Sequence, residues 1–496
     1  LQDNTKMDIM KKWFWLCGLL FSIQLQAQHR QLTSGYQPND SIILSDLANK
    51  SKKSYIIEDI EFTGNKITKD FIISRELTFK KGDTISSDKL YYKLELSQQN
   101  LLKTSLFNFV DITDSVIRQD EFVHLKIQFR FIERWYLWPV PIFEISDRNF
   151  NTWWEEKNFD RISYGIFLNK ENNRGRMESL RMLIRVGYDE RYEVSYNIPY
   201  INKKQTFGAA IGTGWIQNRE VPFQTQDNKQ LFIRLDDQYI YKNFYTYLLF
   251  THRPNHVHQH LLQLKYNYFV FSDTILTLNP EYSFKSETRN EYLSFNYQFT
   301  NDQRDSKPYP LQGSYFTGQL IKSGLGILKN DDLGMMELTG SYRKYWKLPK
   351  KLYFSTDWTG KISTNRNQPY FYETGLGFDR NFVRGYELYV IDGQSFILSK
   401  NAIKYAVITP KTGNIRFIKS EKFGKIHYAL YANAFFDVGY VDDFRNYDED
   451  DLSNQLLLGG GFGLDLVTYY DIVFRVEASV NKRGETGIFI HLKNTL

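Results

Sequence analysis

Between Trp135 and Leu496, apolar and polar side chains alternate with a period of two, in segment after segment, with polar or glycine-containing turns between them. Ile472, Phe474, Val476, Ala478 and Val480 fall on one face, and Val473, Arg475, Glu477 and Ser479 on the other. Leu352, Phe354, Thr356 and Trp358 alternate with Tyr353, Ser355 and Asp357, and Phe462, Leu464 and Leu466 with Gly463 and Asp465. Period two is the geometry of a strand with two unlike faces. If the apolar face meets lipid, the charged face must look into a polar lumen, because a basic side chain at the bilayer midplane costs about 2–4 kcal/mol. Open sheet edges cannot be left in lipid, so the strands must close on one another. At roughly 22 residues per strand and loop, residues 135–496 suit about 16 antiparallel strands.

Composition fits that reading. Aromatic residues make up 17% of the 496, yet the mean hydropathy is −0.48. A transmembrane β-barrel reconciles the two, since only alternate residues are apolar and Tyr, Trp and Phe gather at the membrane interfaces. A helical membrane protein is excluded, because no segment beyond the N-terminal stretch has 18 consecutive apolar residues. The net charge of +6, from 63 basic and 57 acidic residues of interspersed sign, makes no case for nucleic acid. The single cysteine, Cys17, rules out a disulfide framework.

The first 134 residues differ in character. Lys11-Lys12, the mostly apolar Trp13 to Leu25, and Ala27 before Gln28 predict a signal peptide over residues 1–27, with Met7 or Met10 as initiator. Residues 28–53 are polar and read as a linker. Over 54–134 the pattern predicts β-α-α-β-β: a strand from Tyr55 to Phe62 ending at Gly64-Asn65, then a short helix capped by Thr68 and running to Leu77. A break follows at Gly82-Asp83. Next comes a longer helix capped by Ser87, with Leu90, Leu94, Leu101, Leu102 and Leu106 on one side. In the last strand Val123, Leu125, Ile127, Phe129 and Phe131 share a face. This order, with a Gly-Asn turn after the first strand and a glycine between the helices, resembles a POTRA domain, a periplasmic module that passes unfolded chains toward a barrel.

Two short segments carry mechanism. In Tyr428 to Gly439, Phe436 and Val438 belong to the apolar face and Asn433 and Asp437 to the other, so Asp437 points inward and needs a partner there. Arg384 is the candidate. It lies in an irregular stretch, roughly Thr364 to Gln394, between two strand-like segments, and a loop this long folded into the lumen could bring its guanidinium to Asp437. Val383-Arg384-Gly385-Tyr386 resembles the V-R-G-[FY] motif in the sixth extracellular loop of the BamA/TamA and two-partner-secretion barrel superfamily. Phe435-Phe436-Asp437-Val438-Gly439 resembles the F-x-D-x-G motif of the strand that receives it, with Phe436, Asp437 and Gly439 taken as its site residues. Asp302, Arg304, Asp305, Pro310 and Gly313 are similar to the family's D-x-R-[DN]…P-x-x-G segment, and Tyr196-Asn-Ile-Pro199-Tyr200 to its Y-x-x-P-[YF] strand end.

The resemblance implies an integral outer-membrane barrel with its POTRA domain in the periplasm. It would insert outer-membrane proteins or translocate polypeptide, with unfolded polypeptide clients, membrane lipid and periplasmic lipoproteins as partners. It also implies a weak seam between the first and last strands, here about Arg161–Asn169 and Thr486–Lys493, where client strands add to an open edge. Only one POTRA domain fits before the barrel, and the chain ends without a terminal aromatic; both departures lead to the expectation of a specialised or accessory role. The rival expectations are a passive porin and an adhesive surface barrel. His252, His256, His258 and His260 read as a polar hairpin loop rather than a metal site, and Asp448-Glu449-Asp450-Asp451 as a solvated loop. No catalytic constellation or phosphate loop stands out, so neither an enzyme nor a cofactor is expected.

Overall fold

The computed structural model describes residues 54–145, 162–235, 237–328, 333–414, 418, 425–444, 452–468 and 472–493. The signal-peptide, linker and acidic-run readings lie outside them. The N-terminal domain runs β1 (Ser54–Thr63), α1 (Asp70–Glu76), β2 (Thr84–Ser86), α2 (Ser87–Lys103), β3 (Phe107–Gln119) and β4 (Val123–Glu133). Its sheet has the order β2-β1-β4-β3, with β1 parallel to β4. Leu90, Leu94 and Leu101 of α2 are buried together with Leu125, Ile127 and Phe129 of β4.

Neither expected cap forms. Helix α1 starts after Lys69 without a side-chain cap, because the Thr68 hydroxyl donates instead to Glu133 Oε1 at 2.7 Å. Ser87 is already helical, and Ser86 before it makes no capping bond. Leu102 is 37% exposed and Leu106 lies past the end of α2, although Leu106 still enters the core. The short β2 was not foreseen; three residues are too few to show a period.

The second unit begins with β5 (Leu137–Ile145), β6 (Ile162–Asn173), β7 (Glu178–Gly187), β8 (Asp189–Ile198) and β9 (Phe207–Asn218). A separate hairpin follows, β10 (Glu220–Gln226) with β11 (Lys229–Arg234). The wall continues with β12 (Tyr241–His252), β13 (His258–Phe271), β14 (Arg289–Asp302), β15 (Gly313–Ser323), β16 (Met335–Lys347) and β17 (Leu352–Ser363). It ends with β18 (Ser395–Asn414), β19 (Lys425–Asp442), β20 (Leu457–Val467), β21 (Val473–Asn481) and β22 (Thr486–Lys493). Among the described residues, all but the β10–β11 hairpin join one 16-stranded antiparallel sheet in sequence order, with β5 and β22 at its ends.

The sheet is an inside-out barrel. Phe462, Ile488 and Ile490 are 73%, 67% and 66% exposed on its outer face, whereas Asp437, Asp465 and Glu477 are 0%, 0% and 1% exposed on the inner one. That distribution suits lipid outside and a polar, side-chain-filled lumen. Among the described residues no helix is long and apolar enough to cross a membrane, which has no bearing on a barrel.

The expected first strand is corrected as well. The first strand is Leu137–Ile145, and the segment at Arg161–Asn169 belongs to the second. Pro139 and Pro141 hid β5, because proline within a strand pattern argues against a strand. At the edge of a sheet proline is tolerated, and there it leaves gaps in the row of N–H donors. No ladder joins β5 to β22 among the described residues.

Candidate functional site

The loop between β17 and β18, residues 364–394, turns into the lumen. It is braced internally by bridges from Leu376 to Ile391 and from Phe378 to Asn381. Its Leu376, Val383, Tyr386 and Ile391 pack with Phe396, Leu398, Val441 and Leu457 of the wall. At its tip Arg384 Nε donates to Asp437 Oδ2 at 2.7 Å and Nη2 to Oδ1 at 2.6 Å, a two-pronged pair. The Arg384 backbone N–H adds a bond to Asp437 Oδ2 at 3.2 Å, and Nη1 donates to Glu477 Oε1 at 3.0 Å. With two acidic partners, the buried guanidinium is compensated from both sides.

The local backbone explains the glycines. Gly385 has φ +97°, in the left-handed region where a side chain is strained. Gly459 on β20 lies opposite Asp437, and a Cβ there would stand 1.8 Å from the Arg384 carbonyl oxygen. A Cβ at Gly439 would meet Val383 Cγ2 at 2.5 Å. The wall is thus bare where the loop backbone crosses it. Phe436 is corrected as a site residue: it is 52% exposed on the outer face, and Phe435 is the aromatic beneath the loop, its ring centroid 3.7 Å from the Arg384 guanidinium carbon. Residues 435 and 437 share a face by the same alternation that put Asp437 inside.

The Asp302–Gly313 segment forms the turn between β14 and β15, at the N-terminal-domain end of the barrel. Arg304 Nη2 lies 2.7 Å from Asp302 Oδ2, and Asp305 Oδ1 accepts the backbone N–H groups of Ser306 and Leu311 at 2.8 and 3.1 Å. Pro310 is buried, and Gly313, at φ +103°, closes the turn. This bracing carries Tyr309 across the lumen, where its hydroxyl donates to Asp465 Oδ2 on β20 at 2.7 Å. Arg475 in turn donates to both Asp465 oxygens, at 2.6 and 2.9 Å. Turn and loop therefore enter from opposite ends, and a cavity of about 500 Å³ between them is lined by Tyr309, Arg384, Lys400, Glu477 and His491 among others. The sequence reading missed Tyr309, Asp465, Arg475 and Glu477 as members of this site; alternation shows that the last three face inward but not what they face.

The domain and the barrel meet through a second buried cluster. Arg253, in the turn after β12, donates to Glu76 Oε1 and Oε2 at 2.8 and 3.0 Å, and Tyr200 OH donates to Glu76 Oε1 at 3.2 Å. His256 Nε2 donates to the Arg75 carbonyl at 2.8 Å, so one of the four histidines belongs to this joint. Asn172 Nδ2 donates to Thr68 Oγ1 at 2.8 Å on the other flank. Burial pushes the Glu76 carboxyl up, but Arg253 and Arg75 outweigh it and hold it below its ordinary 4.5. A carboxylate with a lowered folded value stabilises fully above its ordinary value and ceases to do so as pH falls through the lowered one. Docking of the domain is expected to hold above pH 4.5 and to loosen below it. Glu76→Gln is expected to weaken the joint by about 3 kcal/mol at neutral pH, since it strands Arg253. Spin-label distances between domain and barrel, broadened in the variant and at low pH alone in the parent, check both statements.

Comparison with known proteins gives three findings. Residues 55–131 match the POTRA family, described as surface antigen variable number repeat. No curated protein matches in sequence. Among solved structures, BamA from Haemophilus ducreyi lacking POTRA domains 1–3 is similar at 13% identity, over 88% of this chain and 83% of that one, with a TM-score of 0.47. CdiB from Acinetobacter baumannii is similar at 11% identity over 92% and 78%, with a TM-score of 0.44. CdiB from Escherichia coli is similar at 9% over 93% of both chains, also at 0.44. Residues 55–131 are thus a POTRA domain, and among the described residues a 16-stranded antiparallel barrel sheet follows it.

Proposed function

We propose that this protein works in the outer membrane of a Gram-negative envelope, inserting outer-membrane proteins or translocating polypeptide across that membrane, with its POTRA domain in the periplasm. The observation that carries the reading is the loop threaded into the lumen and pinned by Arg384 to Asp437, in a barrel whose two end strands form no ladder with each other among the described residues. A porin keeps its lumen open as a water-filled channel. Here loop and turn occupy the lumen from both ends, which argues against the passive-channel reading.

Clients of this reading are unfolded polypeptides. Among the described residues the 13-residue β3 is the edge strand of the POTRA sheet, and the barrel seam offers a second edge. Backbone hydrogen bonds to such edges give affinity with little demand on sequence, as varied clients require. No covalent step is involved. Lipid at the outer face and lipoproteins docked on the POTRA domain are partners of the same reading.

Depletion of the protein followed by quantitative outer-membrane and secretome proteomics tests it. Broad loss of barrels is the result expected of an insertase, and loss of one secreted protein that of a dedicated exporter. Unchanged levels of both would overturn the proposal.

A further inference from the structure

The loop does not rest on Asp437 alone. Four of its residues touch the last hairpin, β21–β22, in order along it. The Phe382 ring stacks on His491 of β22, with centroids 5.9 Å apart. Arg384 reaches Glu477 of β21 at 3.0 Å, the Gly385 carbonyl accepts Asn481 Nδ2 at 2.9 Å, and Tyr389 OH donates to Glu485 in the hairpin turn at 2.7 Å. Among the described residues β22 is the last strand of the sheet and pairs with β21 alone, so this hairpin carries the free edge.

Glu477 sits at the centre of these contacts. It is 1% exposed; one carboxylate oxygen takes the Arg384 bond, and the other stands 3.6 Å from His491 Nε2 on the edge strand. Arg475 Nε is 3.7 Å from the first oxygen. A line of charged and polar groups thus runs from Asp437 on β19 through Arg384 and Glu477 to His491 on β22. Among the described residues β21 pairs with both β20 and β22, whereas β22 pairs with β21 alone, so the end strand is held from one side and by whatever packs on its inner face. The loop supplies that support.

We infer that Glu477 is a positioning residue that ties the lumen loop to the last hairpin, so that the seating of the loop sets how firmly the free edge of the barrel is held. The coupling is a property of the fold, and its meaning for client entry rests on the seam reading above. A client that displaces the loop would loosen β22, and a seated loop would restrain it.

Hydrogen exchange of the full chain in lipid nanodiscs tests this, with amides of β22 and β14 followed separately. In Glu477→Gln the bidentate pair with Asp437 keeps the loop in the lumen, and β22 amides are expected to exchange about tenfold faster while β14 is unchanged. His491→Ala, which removes the contact on the edge strand, is expected to do the same and serves if the first variant does not fold. Equal acceleration of both strands would reduce Glu477 to a general structural role, and unchanged β22 exchange in the folded variants would overturn the inference. The proteomic experiment remains separate: unchanged clients on depletion with accelerated β22 exchange would remove the function and leave the coupling, and the converse would do the opposite.

Discussion

Arg384→Ala is expected to expel the lumen loop and destabilise the barrel by about 3–5 kcal/mol, the cost of leaving a buried charge without its partner. Asp437 is fully buried and takes three bonds from Arg384, two from the guanidinium and one from the backbone N–H. The alanine variant keeps only the backbone bond, and Glu477 loses its partner on the loop in the same step. Arg384→Lys restores the charge but not the fork, and is expected to recover only part of the stability. Thermal unfolding in detergent micelles reads the loss. Planar-bilayer recordings read the loop: the parent is expected to be nearly closed, and the alanine variant to show frequent large openings. A large steady conductance that is the same in both would return the protein to the porin class.

The second large effect comes from a methyl group. In Gly459→Ala the new Cβ would lie 1.8 Å from the Arg384 carbonyl oxygen, a backbone atom with no rotamer to escape into. The loop must lift from β20, and overpacking of this kind costs about 1–3 kcal/mol or more. Every charged group of the lock is still present, so the variant separates the seating of the loop from its charge. Extracellular protease is expected to cut within residues 364–394 of the variant and to spare the parent. Gly460→Ala is the control, because its Cβ would meet nothing closer than the Phe435 oxygen at 3.3 Å, and it is expected to leave the loop protected. Cleavage at equal rates in all three proteins would show that contact with β20 does not hold the loop.

Much of the fold was legible because alternation is a local property. It tells which side of a strand each residue occupies, and so put Phe462 outside and Asp437, Asp465 and Glu477 inside. Applied consistently, it also names Phe435 rather than Phe436 as the aromatic facing the loop. The reading failed where a local rule met an edge or a rival partner. Pro139 and Pro141 masked a strand that, among the described residues, pairs on one side only and so tolerates them. Thr68 looked like a cap, but Glu133, distant in sequence, claims its hydroxyl.

The sequence by itself determined the strand period, the inward charges, the length of the lumen loop and the POTRA-like order ahead of the barrel. Each follows from neighbours along the chain, where backbone geometry dictates direction. Only the tertiary structure decided which inward groups meet: Tyr309 with Asp465, Glu76 with Arg253, and Arg384 with Glu477 as well as Asp437. Those meetings depend on how the sheet curls and on how far each turn or loop crosses the lumen. Both are set by the packing of the whole wall, and no local period encodes them.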